Sequence, residues 1–184
     1  YWHIKDRWYH ATHSAPGPDR RTEPCGIYAG GVHADVCTKS STHAATSTSP
    51  PHTSTFEVTS DDWLTPAGDC ILAVDADRVP ADFDDAFVDA CRDPAATITA
   101  TLTATTDDGT TVTDTITGRG HPELSFENER SHVGRTSEYV DDRTVCVGAD
   151  AAAADLDRAL VDALAGGADL RFELTVDPAD EHAP

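Results

Sequence analysis

The pair Asp69-Cys70 follows the turn signal P-A-G at residues 66–68 and precedes the apolar run at residues 70–74. A thiol beside a carboxylate suggests a nucleophile with a neighbouring acid. However, a carboxylate raises the pKa of an adjacent thiol, whereas a reactive cysteine needs a cationic environment. We therefore predict that Cys70 is a small hydrophobic core residue and that Asp69 accepts hydrogen bonds from N–H groups of the turn.

His121 lies between Gly120 and Pro122 in the segment GRGHPEL, directly after a predicted strand. Loops at strand ends often carry functional residues, and an imidazole can act as a base, a metal ligand or a pH switch. The alternative is a rigid turn whose histidine hydrogen-bonds only the backbone. That alternative is favoured, because no chemical partner of His121 stands at a fixed spacing.

The segment SHVGRTSEYVDDRTV at residues 131–145 brings Arg135 and Arg143 close together in sequence. Two guanidinium groups can form a pocket for a small anion through charge-assisted hydrogen bonds. The competing interpretation pairs both arginines with Asp141, Asp142 and other surface acids, and the abundance of acid favours it. The sequence contains no P-loop, G-x-S-x-G, H-E-x-x-H or Rossmann fingerprint.

Periodic patterns predict the elements that must position these residues. The segment ATITATLTATTDDGTTVTDTITG alternates on both sides of a D-D-G turn, which is typical of a hairpin with one packed face and one Thr-lined face. Helical spacing predicts helices over residues 81–91 and from the N-cap Asp150 to Gly166. Further strands are predicted at residues 53–59, 70–74, 124–127, 132–134, 144–149 and 169–176. This order predicts a mainly β to α+β fold, an antiparallel-rich sheet or sandwich with two covering helices.

Charge divides the chain into two parts. Residues 1–50 hold five Lys/Arg and four Asp/Glu, a net charge of +1, whereas residues 51–184 hold eight Arg, no Lys and 29 Asp/Glu, a net charge of −21. Acid spread along a whole domain is typical of cytoplasmic proteins of extreme halophiles, because it maintains solubility in concentrated salt. It also argues against nucleic acid as a partner. The apolar runs are at most five residues long, so no membrane span is expected.

The five cysteines are odd in number and contain no C-x-x-C pair, which favours a reducing cytoplasm over a disulfide framework. Residues 1–50 show no sustained period of 2 or 3.6 residues. We expect them to be a disordered or non-native leader, from a wrong start or a shifted reading frame. We expect one globular domain over residues 52–177 and a tail over residues 178–184.

Three segments resemble, in order, an archaeal family called domain of unknown function 371. They are HTSTFEVTSDDWLTPAGDCILAVDADRV, GRGHPELSF and GRTSEYVDDRTVCVGADAAAADLDRALVDAL. Members carry an H-x-T-T-F-E-like strand, an L-T-x-x-G-D-C-I turn, a G-H-P loop and an R-x-S-x-(5)-R-T strand. The resemblance covers about residues 52–176, is typical of a haloarchaeal member, and implies a mainly β, sandwich-like fold. It implies no activity.

Two functions remain open. The first is a non-catalytic domain that binds a small anion or metabolite through Arg135, Arg143 and the His121 loop. The second is a metal-assisted enzyme in which His52, Asp69 and His121 converge, and this requires their ligand atoms to meet at one centre at about 2.0–2.2 Å. Because no fixed spacing forces that convergence, binding is preferred. The sequence assigns no cofactor, no metal ligand set and no oligomeric state.

Overall fold

A computed structural model describes residues 53–63 and 70–178 with their side chains, and the backbone of two strands nearer the N-terminus. In this part of the chain nine strands form two sheets. In chain order they are β1 (Ile27–Tyr28), β2 (Gly31–Thr38), β3 (Thr55–Thr59), β4 (Ile71–Ala73), β5 (Thr97–Thr105), β6 (Thr111–Arg119), β7 (Ser131–Arg135), β8 (Thr144–Cys146) and β9 (Asp169–Asp177).

The larger sheet has five strands in the order β1-β2-β9-β5-β6, and all of its pairs are antiparallel. Its centre is the predicted hairpin, which is confirmed with Thr97 opposite Arg119 and Thr105 opposite Thr111. Gly109 ends the turn with a φ of +83°, a conformation in which a side chain would be strained. The alternating residues Ile98, Ala100, Leu102 and Ala104 are buried, whereas the threonines between them are not.

The smaller sheet has four strands in the order β4-β3-β7-β8. Its central pair, β3 and β7, is antiparallel, whereas β4 and β8 run parallel to their neighbours. The inner faces of the two sheets pack together, with the Phe56 and Phe172 ring centroids 6.2 Å apart. The predicted mainly β to α+β sandwich with two helices is confirmed.

Helix α1 (Asp85–Cys91) packs near β9, and helix α2 (Arg158–Ala165) packs against β5 and β6. Each helix begins later than its pattern predicts. Asp84 caps α1 by accepting a hydrogen bond of 2.9 Å from the Phe87 N–H, because a 3₁₀ turn (Pro80–Asp82) takes the preceding residues. Asp157 caps α2.

The prediction that Asp150 caps the second helix is wrong. The Asp150 side chain instead accepts a hydrogen bond of 2.9 Å from the Thr117 N–H, at the edge of β6. The strand predicted at residues 124–127 is also wrong. Phe126 has a φ of 55°, and this left-handed conformation interrupts an extended chain while the ring packs against Phe83 and Phe87.

The backbone of β2 lies inside the segment for which the sequence predicts no regular structure. It pairs along its whole length with β9, from Val32 opposite Val176 to Thr38 opposite Leu170. The larger sheet therefore extends beyond the predicted start at residue 52. The division of the chain into leader, domain and tail stays a prediction.

Candidate functional site

The register of the smaller sheet sorts its side chains onto two faces. Phe56 and Val58 point into the core and are fully buried. Successive side chains of a strand point to opposite sides, so Thr55 and Glu57 lie on the other face of β3. Thr55 pairs with Arg135 on β7. We call this side of the smaller sheet the outer face.

Arg135 is held rigidly on the outer face. Its Nε donates a hydrogen bond of 2.9 Å to Thr144 Oγ1, and its Nη2 donates one of 2.7 Å to Asp141 Oδ2. The guanidinium carbon lies 4.9 Å from the centre of the Tyr139 ring, a favourable cation–π distance. Its side chain is only 11% exposed. Three contacts of different kinds thus fix one guanidinium group in one orientation.

Asp141 joins this arginine to a second one. Its Oδ2 also accepts a hydrogen bond of 2.8 Å from Arg143 Nη2, and its Oδ1 accepts hydrogen bonds from the Arg143 N–H and from Thr144 Oγ1. Burial alone would raise the pKa of Asp141, but the hydrogen bonds from Arg143, Arg135 and Thr144 outweigh it and lower that pKa to about 2. The carboxylate therefore stays charged near neutral pH.

Arg143 is the open member of the pair. Its side chain is 44% exposed, and the hydrogen bond to Asp141 raises its pKa, so the guanidinium is permanently charged. Among the described residues, the guanidinium donates only through Nη2, to Asp141, so the other N–H groups of this partly exposed planar fork have no partner there. A planar fork of this kind suits a carboxylate or phosphate.

Cys70 and Glu57 lie beside each other on the smaller sheet. The Cys70 thiol donates a hydrogen bond of 3.7 Å to Glu57 Oε2, and the Glu57 N–H donates one of 2.8 Å to the Cys70 carbonyl. Burial raises the pKa of the Cys70 thiol, the Thr55 side chain opposes this, and Glu57 raises it further. The thiol is therefore a poor nucleophile, and it packs against the core as a half-buried residue.

Comparison with known proteins shows which family this chain belongs to. A family model described as Domain of unknown function (DUF371) matches residues 41–177. The chain belongs to this DUF371 family. The uncharacterized protein MJ0206 of Methanocaldococcus jannaschii is 33% identical over 128 residues, which cover 70% of this chain and 90% of that protein. The resemblance inferred from the sequence is confirmed, and the match begins at residue 41.

Three of the four DUF371 motifs meet on the outer face. The first supplies Thr55 and Glu57, the second supplies Cys70, and the fourth supplies Arg135 and the Arg143-Thr144 pair. Segments far apart in the chain thus place polar side chains on one surface, as is typical of a binding site.

The G-H-P loop of this DUF371 chain lies at the end of α1. The His121 N–H donates a hydrogen bond of 3.1 Å to the Cys91 carbonyl, and its Nδ1 accepts one of 3.2 Å from the Glu123 N–H. A Cβ on Gly120 would lie 2.1 Å from the Asp93 carbonyl oxygen, so the loop packs tightly there. The structure gives His121 no contact with Arg135 or Arg143.

Two of the predicted site residues, His52 and Asp69, lie outside the described residues. Their convergence with His121 therefore stays a prediction. Among residues 53–63 and 70–178, no three His, Cys, Asp or Glu side chains form a group that could hold a metal ion. No helix in the described ranges is long and apolar enough to cross a membrane.

The sequence analysis did not identify Glu57, Tyr139 or Thr144 as site residues. Glu57 could have been found, because it is the one charged residue of the strand TFEVT and alternates with the apolar Phe56 and Val58. Tyr139 and Thr144 act through contacts across a loop and a neighbouring strand, and no local pattern encodes those contacts.

Replacing Asp141 with Asn is expected to lower the free energy of unfolding by about 2 kcal/mol, because hydrogen bonds to charged groups contribute about 1.5–3 kcal/mol. Urea denaturation measures this change. The matched control is Asp142→Asn, because Asp142 is exposed and, among the described residues, accepts a hydrogen bond from Asn128 Nδ2 alone. A control variant that loses as much stability as Asp141→Asn would contradict the central role of Asp141.

Proposed function

We propose that this DUF371 domain is a non-catalytic binding module that holds a small metabolite by an anionic group. One observation carries the proposal: Arg135 and Arg143 are fixed by the shared carboxylate of Asp141, and Arg143 remains open to solvent. Arg135 and Asp141 form a rigid base, and Arg143 supplies the N–H groups that contact the ligand. Such preorganisation reduces the entropy lost on binding.

The chemistry of the outer face supports binding over catalysis. Asp141, with a pKa of about 2, is too weak a base for proton transfer near neutral pH. The raised pKa of Cys70 disfavours a thiolate. The hydrogen-bonding atoms of Asp141 and Thr144 are already occupied within the protein.

We further propose that the domain works in the cytoplasm of a salt-rich cell and does not bind nucleic acid. The net charge of −20 supports both statements, since it repels phosphate backbones and favours solubility in concentrated salt.

Arg143→Gln is expected to weaken binding of propanoate, a simple carboxylate, by at least about tenfold, because a charge-assisted hydrogen bond is lost. Amide chemical shifts measured by NMR during a titration at constant ionic strength give the dissociation constant. The matched control is Arg158→Gln, since Arg158 is exposed on α2 and pairs with Asp162. Equal weakening in both variants, or no shift at residues 133–144 on adding propanoate, would refute the proposed site.

A further inference from the structure

In the part of the chain that the structure describes, Glu57 is an acid on the outer face without a cation in contact. Within residues 53–63 and 70–178, its side chain has one hydrogen-bond partner, the Cys70 thiol at 3.7 Å, and forms no ion pair. Asp141, on the same face, contacts two arginines. Asp141 is therefore neutralised by arginines, whereas the Glu57 carboxylate remains available to a cationic group.

The sheet register places Glu57 across from the arginine pair. Glu57 pairs with Val133 on β7, and Val133 pairs with Thr144 on β8. Neighbouring strands lie about 4.8 Å apart, so the backbone of Glu57 is about 10 Å from the backbone of Thr144, the residue that follows Arg143. Val133 lies between them and is almost completely buried.

Glu57 and Arg143 interact electrostatically without touching. The hydrogen bond to Asp141 is the main cause of the raised Arg143 pKa, and the Glu57 charge also contributes to it. The two side chains nevertheless form no ion pair. An acid and a base therefore share one face without contacting each other, so a molecule that carries both charges can pair with both of them.

The charges of this region select among possible ligands. Arg135 and Arg143 are matched by Asp141 and Glu57, and the charge of Asp142 also acts on Arg143, so the region has no excess of positive charge, while the whole chain carries −20. A simple anion adds a further negative charge to a strongly negative domain. A molecule with one ammonium and one carboxylate group adds no net charge, and it can pair with Glu57 and with the N–H groups of Arg143 that Asp141 does not engage.

We infer that the ligand of the outer face is a small zwitterion of the amino-acid class, with its carboxylate on Arg143 and its ammonium group on Glu57. This inference rests on the proposed function, because it needs the carboxylate site at Arg143. It adds the second contact and the chemical class of the molecule.

The test compares ligands that carry one or both charges. Glycine, β-alanine and 4-aminobutanoate separate the two charges by increasing distances, whereas propanoate and ethylammonium each carry only one. NMR titrations of the full chain at constant ionic strength give the dissociation constants. We expect at least one of the three amino acids to bind at least about tenfold more tightly than propanoate, because a second charge-assisted contact forms.

Glu57→Gln is expected to remove this advantage without weakening propanoate binding, because the amide keeps the shape and loses only a negative charge. The control Glu129→Gln changes an exposed acid after the G-H-P loop and should alter neither dissociation constant. Equal binding of propanoate and all three amino acids, with no effect of Glu57→Gln, would overturn the zwitterion inference alone. Propanoate binding that does not depend on Arg143 would instead overturn the proposed function, and the inference with it.

Discussion

Acidification from pH 7 to pH 4 is expected to lower the free energy of unfolding by about 3 kcal/mol, because His132 is neutral in the folded core and protonated in the unfolded chain. His132 lies on β7 opposite Val58, and its side chain is completely buried. Its ring centroid is 5.5 Å from that of Phe83 and 5.8 Å from that of Phe172. An imidazolium ion in this aromatic environment would have almost no solvation.

The cause of the effect is desolvation. Burial lowers the pKa of His132 to about 4, the nearby Val58 backbone and Asp82 oppose this, and Arg78 adds to it. In the described part of the chain, neither ring nitrogen has a hydrogen bond of good geometry. Val58 therefore compensates only partly for the loss of water.

The sign follows from the two protonation states. An unfolded histidine has a pKa of about 6.5, so below that pH the unfolded chain binds a proton that the folded chain does not. Stability is therefore lost as the pH falls from about 6.5 towards the folded pKa of about 4, and the loss levels off below that pH. One pKa unit corresponds to about 1.4 kcal/mol, which gives the expected loss of about 3 kcal/mol. Asp141, with a pKa of about 2, titrates below this window.

Urea denaturation at fixed KCl concentration, between pH 7 and pH 4, measures the effect. His132→Leu keeps an apolar side chain of similar size and should remove most of the pH dependence. It should also leave the domain at least as stable at pH 7, since it removes two unsatisfied buried nitrogens. His121→Gln, at a partly exposed histidine, should keep the pH dependence. An equal slope for the wild type and His132→Leu would show that another group is responsible.

His132 also illustrates what the sequence pattern could and could not predict. It stands three residues before Arg135, and the sequence analysis grouped both in one charged segment. In the structure Arg135 lies on the outer face, while His132 lies on the core side opposite Val58. Residues at odd spacings along a strand point to opposite faces, so the two-residue period of a strand predicts that His132 and Arg135 lie on opposite faces. The ring nitrogens lack partners because of how the other sheet packs on them, and the two-residue period of a strand cannot predict that packing.

The elements were predicted best where local patterns are strong. The hairpin of β5 and β6 alternates over its whole length, apart from Asp114, which stands where the pattern calls for an apolar residue. That carboxylate accepts a hydrogen bond of 2.8 Å from the Asp157 N–H at the start of α2. Helix starts were predicted poorly, because several aspartates competed for each cap and long-range contacts decided between them.

The site was also predicted only where its residues are close together in the sequence. Arg135 and Arg143 are close in sequence, so their association was visible, and the expected pairing with acid is present at Asp141. Glu57 is about 80 residues away in the chain and joins them only through the order of the strands in the smaller sheet. The choice between an anion pocket and a surface ion pair depends on exposure, which the sequence does not contain.

Raising the KCl concentration from 0.1 to 3 M is expected to increase the melting temperature by at least about 10 °C, since a few kcal/mol shifts a domain of this size by that amount. Residues 51–184 carry a net charge of −21 without a single lysine. Repulsion among these acids destabilises the compact state at low ionic strength. In molar salt the screening length falls to about 3 Å, and most of that repulsion disappears.

A variant with fewer acids separates charge screening from general effects of salt on hydrophobic burial. Asp62, Glu127 and Glu129 are exposed, and in the described part of the chain their carboxylates form no ion pair. Changing them to Asn, Gln and Gln reduces the net charge from −20 to −17. This variant should melt at a higher temperature than the wild type in 0.1 M KCl and should gain less from added salt. A melting temperature that is flat or falls between 0.1 and 3 M KCl would rule out the halophilic interpretation. An equal gain in the variant would assign the effect to burial of apolar surface, because the effect of salt on that burial is the same in both proteins.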